Sequence, residues 1–345
     1  MSNEHKISRR DFIKVAAAAG LLTGCSPALQ QETALASTVP PAPTDTPVPA
    51  VAPPQPLQKA PGRVVRTHHA GVWDGDALSG DALRQMLDVS IVNLTGIDDA
   101  GAAWAALFDP GERIAIKVNA VRNASYWTHV PLVMAVTECL QDTGVPAEQI
   151  IIFDRTTTEL TAAGFTINED GPGVRCYGAN GSYTGGWRIV DENTRLSNIL
   201  LDCDALINIP IIKAHSIAGI SLAMKNHYGS LNNPRNFHRH IDRAVAGLNA
   251  LPPIQERTRL IVGDALNVIT TSNWHEAVVG DSIIMSFDPV AHDRVGMQVL
   301  TQAMDAEGVD TTMATNMGIR CLEAAAELGL GINEPDSIQW IELNL

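Results

Sequence analysis

Beyond about residue 63, short apolar runs alternate with segments whose apolar residues recur at the period of a helix. The runs are "RIAIKVNA" (113–120), "QIIIFDR" (149–155), "ALINIPIIKAH" (205–215), "RLIVGDALN" (259–267) and the first part of "SIIMSFDPVAHDRVGMQVL" (282–300). A helix is predicted between the first two runs, from about residue 129 to 143, ending at Gly144. Runs interleaved in this way are typical of buried parallel strands. The pattern predicts an α/β fold over residues 63–345, with a mostly parallel sheet and helices on both faces.

Pro210 lies inside the third apolar run. Proline has no backbone N–H for a ladder hydrogen bond, and in sheets it is confined to edges, bulges and strand ends. The third strand is therefore predicted to begin or break at this residue.

Polar residues stand where the runs end. They are Lys117 and Asn119, Asp154 and Arg155, Lys213 and His215, Asp264 and Asn267, and Asp288 with His292 and Asp293. In an open α/β sheet, ligands bind beyond the carboxyl ends of the strands, so these side chains are candidates for one site. Aspartate in such a place also caps the following helix, and this alternative is strong for Asp264 and Asp288. Lysine offers no such cap, which favours Lys117 and Lys213 as site residues.

The first 25 residues have the pattern of an export signal. Arg9 and Arg10 stand in "SRRDFIK", which resembles the twin-arginine consensus, and a short apolar stretch follows. "LTGC" then resembles a lipobox, in which Cys25 is diacylated and becomes the mature N-terminus. A plain cleavage site near residues 34–36 is the alternative. We predict a lipoprotein that passes through the twin-arginine translocase and is anchored to the outer face of the cytoplasmic membrane, or to a membrane facing the periplasm.

Residues 26–62 are dominated by Pro, Ala, Thr, Ser and Val, as in "STVPPAPTDTPVPAVAPPQP". Such a segment cannot bury a core and favours extended, polyproline-like conformations. It is predicted to be a disordered tether between the lipid and the α/β domain.

Composition narrows the choice of partners and cofactors. The net charge of −14 argues against nucleic acid, because that partner requires a basic face, and any anion must be bound by a few local cations. The five cysteines show no CxxC or other metal-like spacing, so neither an iron–sulfur cluster nor a structural zinc is expected. Beyond Cys25, the cysteines are predicted as small core residues, with disulfides left open: Cys139, Cys176, Cys203 and Cys321.

The sequence contains no GxGxxG, no GxxxxGK[ST] and no GxSxG pattern. A dinucleotide fingerprint, a P-loop and a serine-hydrolase elbow are therefore unsupported. The predicted fold is Rossmann-like without the dinucleotide fingerprint.

"KAHSIAGISLAMKNHYGS" (213–230) begins the densest group of candidate chemical residues. Four histidines fall within 26 residues, beside two lysines and two arginines: His215, His227, His238, His240, Lys213, Lys225, Arg235 and Arg239. Lysine is rarely fully buried, so its repeated place beside an apolar run indicates a site.

Four segments, "IAIKVNA", "INIPIIKAHSIAGISLAMKNHYGSL", "IVGDAL" and "SFDPVAHDRVG", resemble in order the motifs of the domain of unknown function 362 family. The resemblance covers most of residues 110–340 and implies the family's fold and a candidate site. Family members include exported twin-arginine proteins and cytosolic proteins fused to ferredoxin-like domains; this chain lacks the ferredoxin cysteines. The residues at the motif positions are Lys117, Asn119, Lys213, His215, Lys225, Asn226, Asp264, Asp288 and Asp293.

Three interpretations of this site compete. In the first, Lys117, Lys213 and Lys225 form a cationic pocket for a carboxylate or phosphate; His215 is the general acid/base, oriented by Asp293 or Asp264, and one lysine acts as a base or Schiff-base amine. Asn119, Asn226, Asp264 and Asp288 would then help to bind the ligand.

In the second interpretation, histidines and a carboxylate, Asp264 or Asp293, ligate a divalent metal. His227, His238 and His240 are the candidate histidines, and His215 is an alternative to them. In the third, the block is a glycine-bearing turn that holds a ligand without chemistry. Solvated basic loops on an acidic protein are the alternative to any site. We expect an extracytoplasmic enzyme that acts on a small anionic molecule, with metal assistance left open; a lipoprotein that captures a ligand or metal without turnover is the second hypothesis.

Overall fold

The computed structural model describes residues 60–121 and 124–345 of the chain. The predicted export signal with Arg9 and Arg10, the predicted lipidation site Cys25 and nearly all of the predicted tether lie outside the described residues. Among the helices of the described part, none combines the length and apolar character needed to cross a membrane.

The strands of the described part follow the apolar runs. In chain order they are β1 (Arg63–His68), β2 (Trp73–Asp74), β3 (Ala77–Leu78), β4 (Ile114–Lys117), β5 (Ile150–Phe153), β6 (Arg175–Cys176), β7 (Tyr183–Ile189), β8 (Glu192–Ser197), β9 (Ala205–Asn208), β10 (Ile211–His215), β11 (Gly219–Ser221), β12 (Thr258–Ile269), β13 (Val278–Ser286) and β14 (Gln339–Asn344).

The helices lie between them. They are α1 (Gly80–Thr95), α2 (Ala100–Ala105), α3 (Val130–Asp142), α4 (Thr157–Ala162), α5 (Asn198–Asp202), α6 (Ala223–Asn226), α7 (Ile241–Asn249), α8 (Pro252–Gln255), α9 (Pro289–Ala306) and α10 (Thr312–Glu327). Short 3₁₀ turns occupy Ala147–Gln149, His227–Ser230, Pro234–His238 and Pro335–Ser337. The predicted helix near residues 129–143 is α3, and Gly144 follows it with a φ of +95°, a left-handed conformation that favours glycine.

One large sheet forms the centre of the described part, with strand order β14-β1-β13-β12-β9-β4-β5-β6. β10 pairs with the second half of β12, and β11 pairs with β10. Most neighbouring strands run parallel, including the series from β12 through β9, β4 and β5 to β6. The predicted α/β fold with a mostly parallel sheet is confirmed.

Helices cover both faces of this sheet. In β4, Ile114 and Ile116 belong to a core that includes residues of α1, α2 and α3, whereas Ala115 belongs to a second core with residues of α7, α9 and α10. Neighbouring side chains of a strand point to opposite faces, so these two cores lie on the two sides of the sheet.

Within the large sheet of the described part, three pairings are antiparallel: β1 with β13, β12 with β13, and β10 with β11. The sequence pattern predicts parallel neighbours for β12 and β13, but residues 270–277 are too few to form a crossover between parallel strands. The carboxyl end of β13 therefore lies at the opposite edge of the sheet from those of β4 and β9. This difference decides where the residues after β13 are found.

The predicted break at Pro210 is confirmed. β9 ends at Asn208, β10 begins at Ile211, and the carbonyl oxygen of Pro210 accepts a hydrogen bond from the backbone N of Asp264 (2.8 Å). Both strands run parallel to β12, with a register shift in each pairing. The chain leaves the line of β9 here and carries Lys213 to a separate strand.

The strand order also locates the switch in winding direction. From β4 the chain continues to β5 and β6 on one side, and then returns to place β9 on the other side of β4. Ligands of doubly wound folds bind beside the carboxyl ends of the strands at such a point. The carboxyl ends of β4 and β9 are therefore the place to look for a site.

Candidate functional site

A cavity of about 390 Å³ lies at this edge of the sheet. Its lining residues come from the ends of β4, β5 and β10 and from the segments around α6 and residue 274: Lys117, Asn119, Val121, Asp154, Arg155, Glu159, Lys213, His215, Ser221, Lys225, Asn226, Tyr228, Gly229, Pro234, Arg235, His238 and Trp274. The volume is in the range of pockets that hold small molecules.

The lysines of the described residues are concentrated at this cavity. The chain has six, Lys6, Lys14, Lys59, Lys117, Lys213 and Lys225, and the last three are the lysines of the described residues. All three line this cavity. Lys117 ends β4, Lys213 lies on β10 and Lys225 lies on α6, so these amines come together only in the folded chain.

Lys117 and Asp154 form a buried ion pair at the floor. Lys117 Nζ lies 2.7 Å from Asp154 Oδ1, and the two side chains are 1% and 6% exposed. Asp154 also accepts backbone hydrogen bonds from Ala120 (2.7 Å) and Arg155 (2.8 Å). Gly229 leaves the room for this pair, since a Cβ there would stand 2.2 Å from Asp154 Oδ1.

Three asparagines form a chain of side-chain hydrogen bonds that starts at Lys213. Lys213 Nζ donates to Asn119 Oδ1 (2.8 Å), and Asn119 Nδ2 donates to Asn226 Oδ1 (3.0 Å). Asn226 Nδ2 in turn donates to Asn208 Oδ1 (2.8 Å). The chain of amides fixes the direction of each carboxamide and leaves Lys213 with a neutral acceptor.

Lys213 and Lys225 have no carboxylate within ion-pair distance among the described residues, in contrast to Lys117. Lys213 is 2% exposed, and its Nζ lies 4.8 Å from the centre of the Trp274 ring; Lys225 is half-buried over the ring of Tyr228 (4.4 Å). Burial, then repulsion by Lys225 and Lys117, lowers the pKa of Lys213 to about 7. Burial lowers the pKa of Lys225 to about 8.

His215 has its tautomer fixed by the turn that follows β10. Its Nδ1 accepts hydrogen bonds from the backbone N–H groups of Ile217 and Ala218, both at 3.1 Å. The remaining proton of the neutral ring therefore sits on Nε2. Burial, and then the positive charge that Lys225, His238 and Lys213 can carry, hold the pKa of His215 far below its usual range. His215 is thus a neutral hydrogen-bond donor, which corrects its predicted role as a general acid/base oriented by Asp293 or Asp264.

The rim carries further charged and aromatic groups. His238 stacks on His215, with ring centroids 5.9 Å apart, and burial lowers the pKa of His238. Arg155 pairs with Glu159 at the end of β5, and Arg235 stands exposed on the other side. Trp274 reaches the cavity from the connection between β12 and β13, and its Nε1 donates to the carbonyl oxygen of Ala214 (3.0 Å).

Asp264 lies away from this cavity, which corrects its predicted role. β12 continues five residues beyond it, so Asp264 is inside the strand, where it is fully buried. Its carboxylate accepts from His129 Nδ1 (2.8 Å), from the backbone N of His129 (2.7 Å) and from the backbone N of Leu266 (3.2 Å). The other ring nitrogen of His129 lies 3.1 Å from Asn267 Nδ2. Asp264 therefore anchors the start of α3.

This pair predicts a pH-dependent loss of stability in an Asp264→Asn variant. Burial favours the neutral ring of His129, but the Asp264 carboxylate outweighs burial and raises the pKa of His129. The stabilisation is therefore fully present below pH 6.5 and is lost as the pH rises through the folded-state pKa. We expect the variant to lose about 2 kcal/mol at pH 5.5 and distinctly less at pH 9, measured by urea unfolding. An equal loss at both pH values would show that the charges of the pair do not contribute to the free energy of unfolding.

Asp288 and Asp293 also have structural places, which corrects two further predictions. Asp288 follows β13 and lies at the opposite edge of the sheet, where it caps α9 by accepting from the backbone N of Val290 and of Ala291, both at 2.9 Å. Asp293 accepts from the backbone N of Ala223 (2.8 Å) and of Met224 (2.9 Å). It thus holds α6, the short helix that carries Lys225 and Asn226.

The predicted metal ligands do not converge. His227 is buried below the cavity with its Nε2 3.3 Å from Asn208 Nδ2, and burial lowers its pKa to about 3. His238 faces the cavity, and His240 precedes α7 outside the lining. Across residues 60–121 and 124–345, no three His, Cys, Asp or Glu side chains are grouped as a metal would require. His215, the nearest imidazole to His238, already uses its Nδ1 on backbone amides, so this donor set does not fit a metal.

The remaining cysteines, Cys139, Cys176, Cys203 and Cys321, are buried and free. Burial raises the pKa of each thiol to about 12, so all four are held as thiols in the core.

Several cavity residues were missed by the sequence analysis. Asp154 and Arg155 were among the polar residues placed at strand ends, as Lys117 was, but no role was assigned to them. Glu159, one helical turn later, and Trp274, on a hairpin connection, carried none. His238 was predicted as a metal ligand and instead stacks on His215.

Comparisons with known proteins identify similar solved structures and one family. No curated protein matches the chain. Among solved structures it is similar to the lactate racemase apoprotein from Thermoanaerobacterium thermosaccharolyticum, at 12% identity and a TM-score of 0.37, covering 65% of this chain and 54% of that chain. The chain thus spans about half the length of that protein.

The family model described as "Domain of unknown function (DUF362)" matches residues 114–298. This range is more than half of the chain and contains every residue that lines the cavity, from Lys117 to Trp274. The chain therefore belongs to the DUF362 family.

Proposed function

We propose that this protein is an enzyme that binds a small anionic molecule, a carboxylate or a phosphate, in the lysine-lined cavity. Lys213 and Lys225 bind the anion, and Lys213 exchanges a proton with it. His215 donates a hydrogen bond from Nε2 to a ligand oxygen, and Asn119 holds Lys213 in position.

The observation that carries the proposal is the charge left uncompensated in the cavity. Lys117 has Asp154, and Arg155 has Glu159, but the described residues give neither Lys213 nor Lys225 a carboxylate partner. A buried ammonium without a partner is costly, and such groups are normally paired. An anionic ligand between the two lysines supplies the missing charge, and it enters a cavity of small-molecule size.

The case for chemistry rests on the state of Lys213. With its pKa lowered to about 7, Lys213 has both protonation states populated near neutral pH. Such a group accepts and returns protons efficiently, because the most effective acid/base catalysts have a pKa near the working pH. An ordinary lysine, ionised at neutral pH, serves anion binding alone.

The setting of this enzyme is proposed from the sequence. Arg9 and Arg10 direct export by the twin-arginine translocase, Cys25 carries the lipid, and residues 26–62 tether the α/β domain to the outer face of a membrane. Lipid labelling of the expressed protein tests this part, and a Cys25→Ser variant that still carries lipid would contradict it.

The binding proposal is tested on the full-length protein with inorganic phosphate and acetate as separate probes and chloride as the reference. We expect at least one probe to stabilise the protein in thermal unfolding, by about 2.7 kcal/mol at a concentration 100 times its dissociation constant. Lys213→Met and Lys225→Met should each weaken binding at least about tenfold, since each removes a charge-assisted contact.

Arg294→Met is the matched control, because Arg294 is on α9 in a different groove. It should bind the probes as the unmodified protein does. If neither probe stabilises the protein more than chloride, the proposed function is wrong. Binding without any turnover across a panel of carboxylates and phosphate esters would instead identify a capture protein.

A further inference from the structure

Lysines and arginines are distributed differently over the described part of the chain. Of its 24 basic residues, six are lysines and 18 are arginines. Fifteen arginines lie in the described residues and are distributed over the domain, whereas the three lysines of that part all line one cavity. A guanidinium binds carboxylate and phosphate in a two-pronged manner but does not lose its proton in proteins. A site that merely holds an anion would be served well by arginines such as Arg155 and Arg235, which also line this cavity; the three amines are present in addition to them.

We infer that Lys213 is an amine nucleophile that forms a Schiff base with a small carboxylate bearing a carbonyl group, a 2-oxo acid in the simplest case. This inference rests on the proposed function, since the carboxylate occupies the anion site, and it names the substrate class and the covalent step.

The surroundings of the three amines single out Lys213. Lys117 is held as an ammonium by its buried contact with Asp154. Lys225 is half-buried and faces the ring of Tyr228. Lys213 is 2% exposed and accompanied by the apolar face of Trp274, with the neutral Asn119 oxygen as its hydrogen-bond acceptor. Desolvation and neighbouring cations are the two conditions that activate a lysine as a nucleophile, and Lys213 has both.

The lowered pKa of Lys213, about 7, agrees with this placement. At neutral pH such an amine is unprotonated about 10³ times more often than an ordinary lysine. The burial of Lys213 and its contacts with Trp274 and Asn119 support its role as the nucleophile, and its pKa gives the pH range in which the reaction runs.

The covalent step balances without an oxidant or reductant. The lone pair of neutral Lys213 Nζ attacks the carbonyl carbon; a C–N bond forms and the π electrons of the C=O bond move to oxygen. That oxygen accepts a hydrogen bond from His215 Nε2 and takes a proton from the Lys225 ammonium, and the attacking nitrogen gives one of its protons to the Lys225 amine. The re-formed Lys225 ammonium protonates the hydroxyl, which leaves as water while the nitrogen lone pair forms the C=N bond. The iminium nitrogen then returns its proton to the Lys225 amine, so that Lys225 ends as it began. One amine and one carbonyl give one imine and one water.

The remaining groups fit the two ends of such a ligand. Lys225 and Arg235 are the cations left for the carboxylate, and His215 offers a neutral donor for the carbonyl oxygen. Asn119 directs the Lys213 amine through its 2.8 Å contact. A fixed neutral donor suits a carbonyl oxygen, because it polarises the bond without protonating the amine beside it.

Reductive trapping tests the inference. The full-length protein is incubated at pH 7.5 with pyruvate or glyoxylate and sodium cyanoborohydride, and adducts are located by peptide mass spectrometry. We expect one adduct per chain, on Lys213, formed at least about tenfold faster than on Lys59 of the predicted tether.

Two variants separate charge from nucleophilicity. Lys213→Arg keeps the cation and removes the amine, so it should retain acetate binding within about tenfold and lose the adduct. Lys225→Arg keeps the charge but removes the exchangeable proton, so the adduct should still form on Lys213 but at a lower rate. An adduct on Lys225 or spread over all lysines would overturn the assignment.

The outcomes distinguish this inference from the proposed function. If acetate and phosphate bind but no adduct forms on Lys213, the Schiff base is wrong and the anion site stands. If no anion binds the unmodified protein, the proposed function fails. A Lys213 adduct formed without anion binding would then show only that Lys213 is a reactive amine.

Discussion

Replacing Lys117 by methionine is expected to lower the free energy of unfolding by about 3–5 kcal/mol, because it leaves the carboxylate of Asp154 buried without its cation. The pair is 2.7 Å apart, and neither side chain is more than 6% exposed. Methionine matches the length of the lysine stem, so the loss reports charge rather than a cavity. The backbone N–H groups of Ala120 and Arg155 remain on the carboxylate and limit the loss to this range.

Equilibrium urea unfolding measures this effect, with two further variants as controls. The double variant Lys117→Met, Asp154→Asn removes the charge that the single variant strands, and should recover at least about 1 kcal/mol. Glu342→Gln breaks a pair between Glu342 and Arg66 in which Glu342 is 54% exposed, and should cost less than about 1 kcal/mol. A Lys117→Met loss no larger than that of Glu342→Gln would show that the buried pair does not stabilise the fold.

The sequence predicts those site residues whose positions follow from the ends of the strands. Lys117 closes an apolar run and Lys213 lies in another, and the carboxyl ends of parallel strands meet at one edge of the sheet, so their convergence follows from the fold class. The break at Pro210 was equally accessible, because the missing N–H of proline is a local property. Local chemistry and strand direction together account for the lysines.

The carboxylates could not be assigned in this way. Asp288 follows β13 just as Asp154 follows β5, yet β13 runs antiparallel and its end lies at the other edge of the sheet. An apolar run does not show whether its strand is parallel or antiparallel to its neighbour. For β13, only the short connection from β12 indicates that the strand is antiparallel. Asp264 was placed at a strand end by an apolar pattern that continues past it to Ile269.

The chemistry of His215 depended on a turn that no pattern describes. Its Nδ1 is used by the amides of residues 217 and 218, so a residue type suited to acid/base work is held as a donor. Trp274 reaches the same cavity from a connection about 60 residues away in sequence. Contacts of this kind arise from the packing of loops, for which residue identity alone gives no signal.

Anion affinity is expected to fall about a thousandfold between pH 6 and pH 9, the largest effect that the cavity predicts. In the free protein the pKa values of Lys213 and Lys225 are lowered to about 7 and about 8. A bound anion favours both ammonium forms and raises both pKa values, so binding above pH 7 takes up protons. By linkage, affinity must then decrease as pH rises. His215, whose pKa lies far below its usual range, stays neutral throughout and adds no step of its own.

Isothermal titration of sulfate, whose charge is constant over this range, measures the effect without a contribution from the ligand. Near pH 9 the logarithm of the affinity should fall by about two units per pH unit, one for each lysine. Lys213→Arg keeps a cation that does not titrate, so its slope should fall to about one. Titrations in buffers of different ionisation enthalpy should show proton uptake at pH 8 by the unmodified protein. Affinity that is unchanged from pH 6 to 9 would mean that both lysines are ordinary ammonium groups, and the cavity would then hold anions without a proton to exchange.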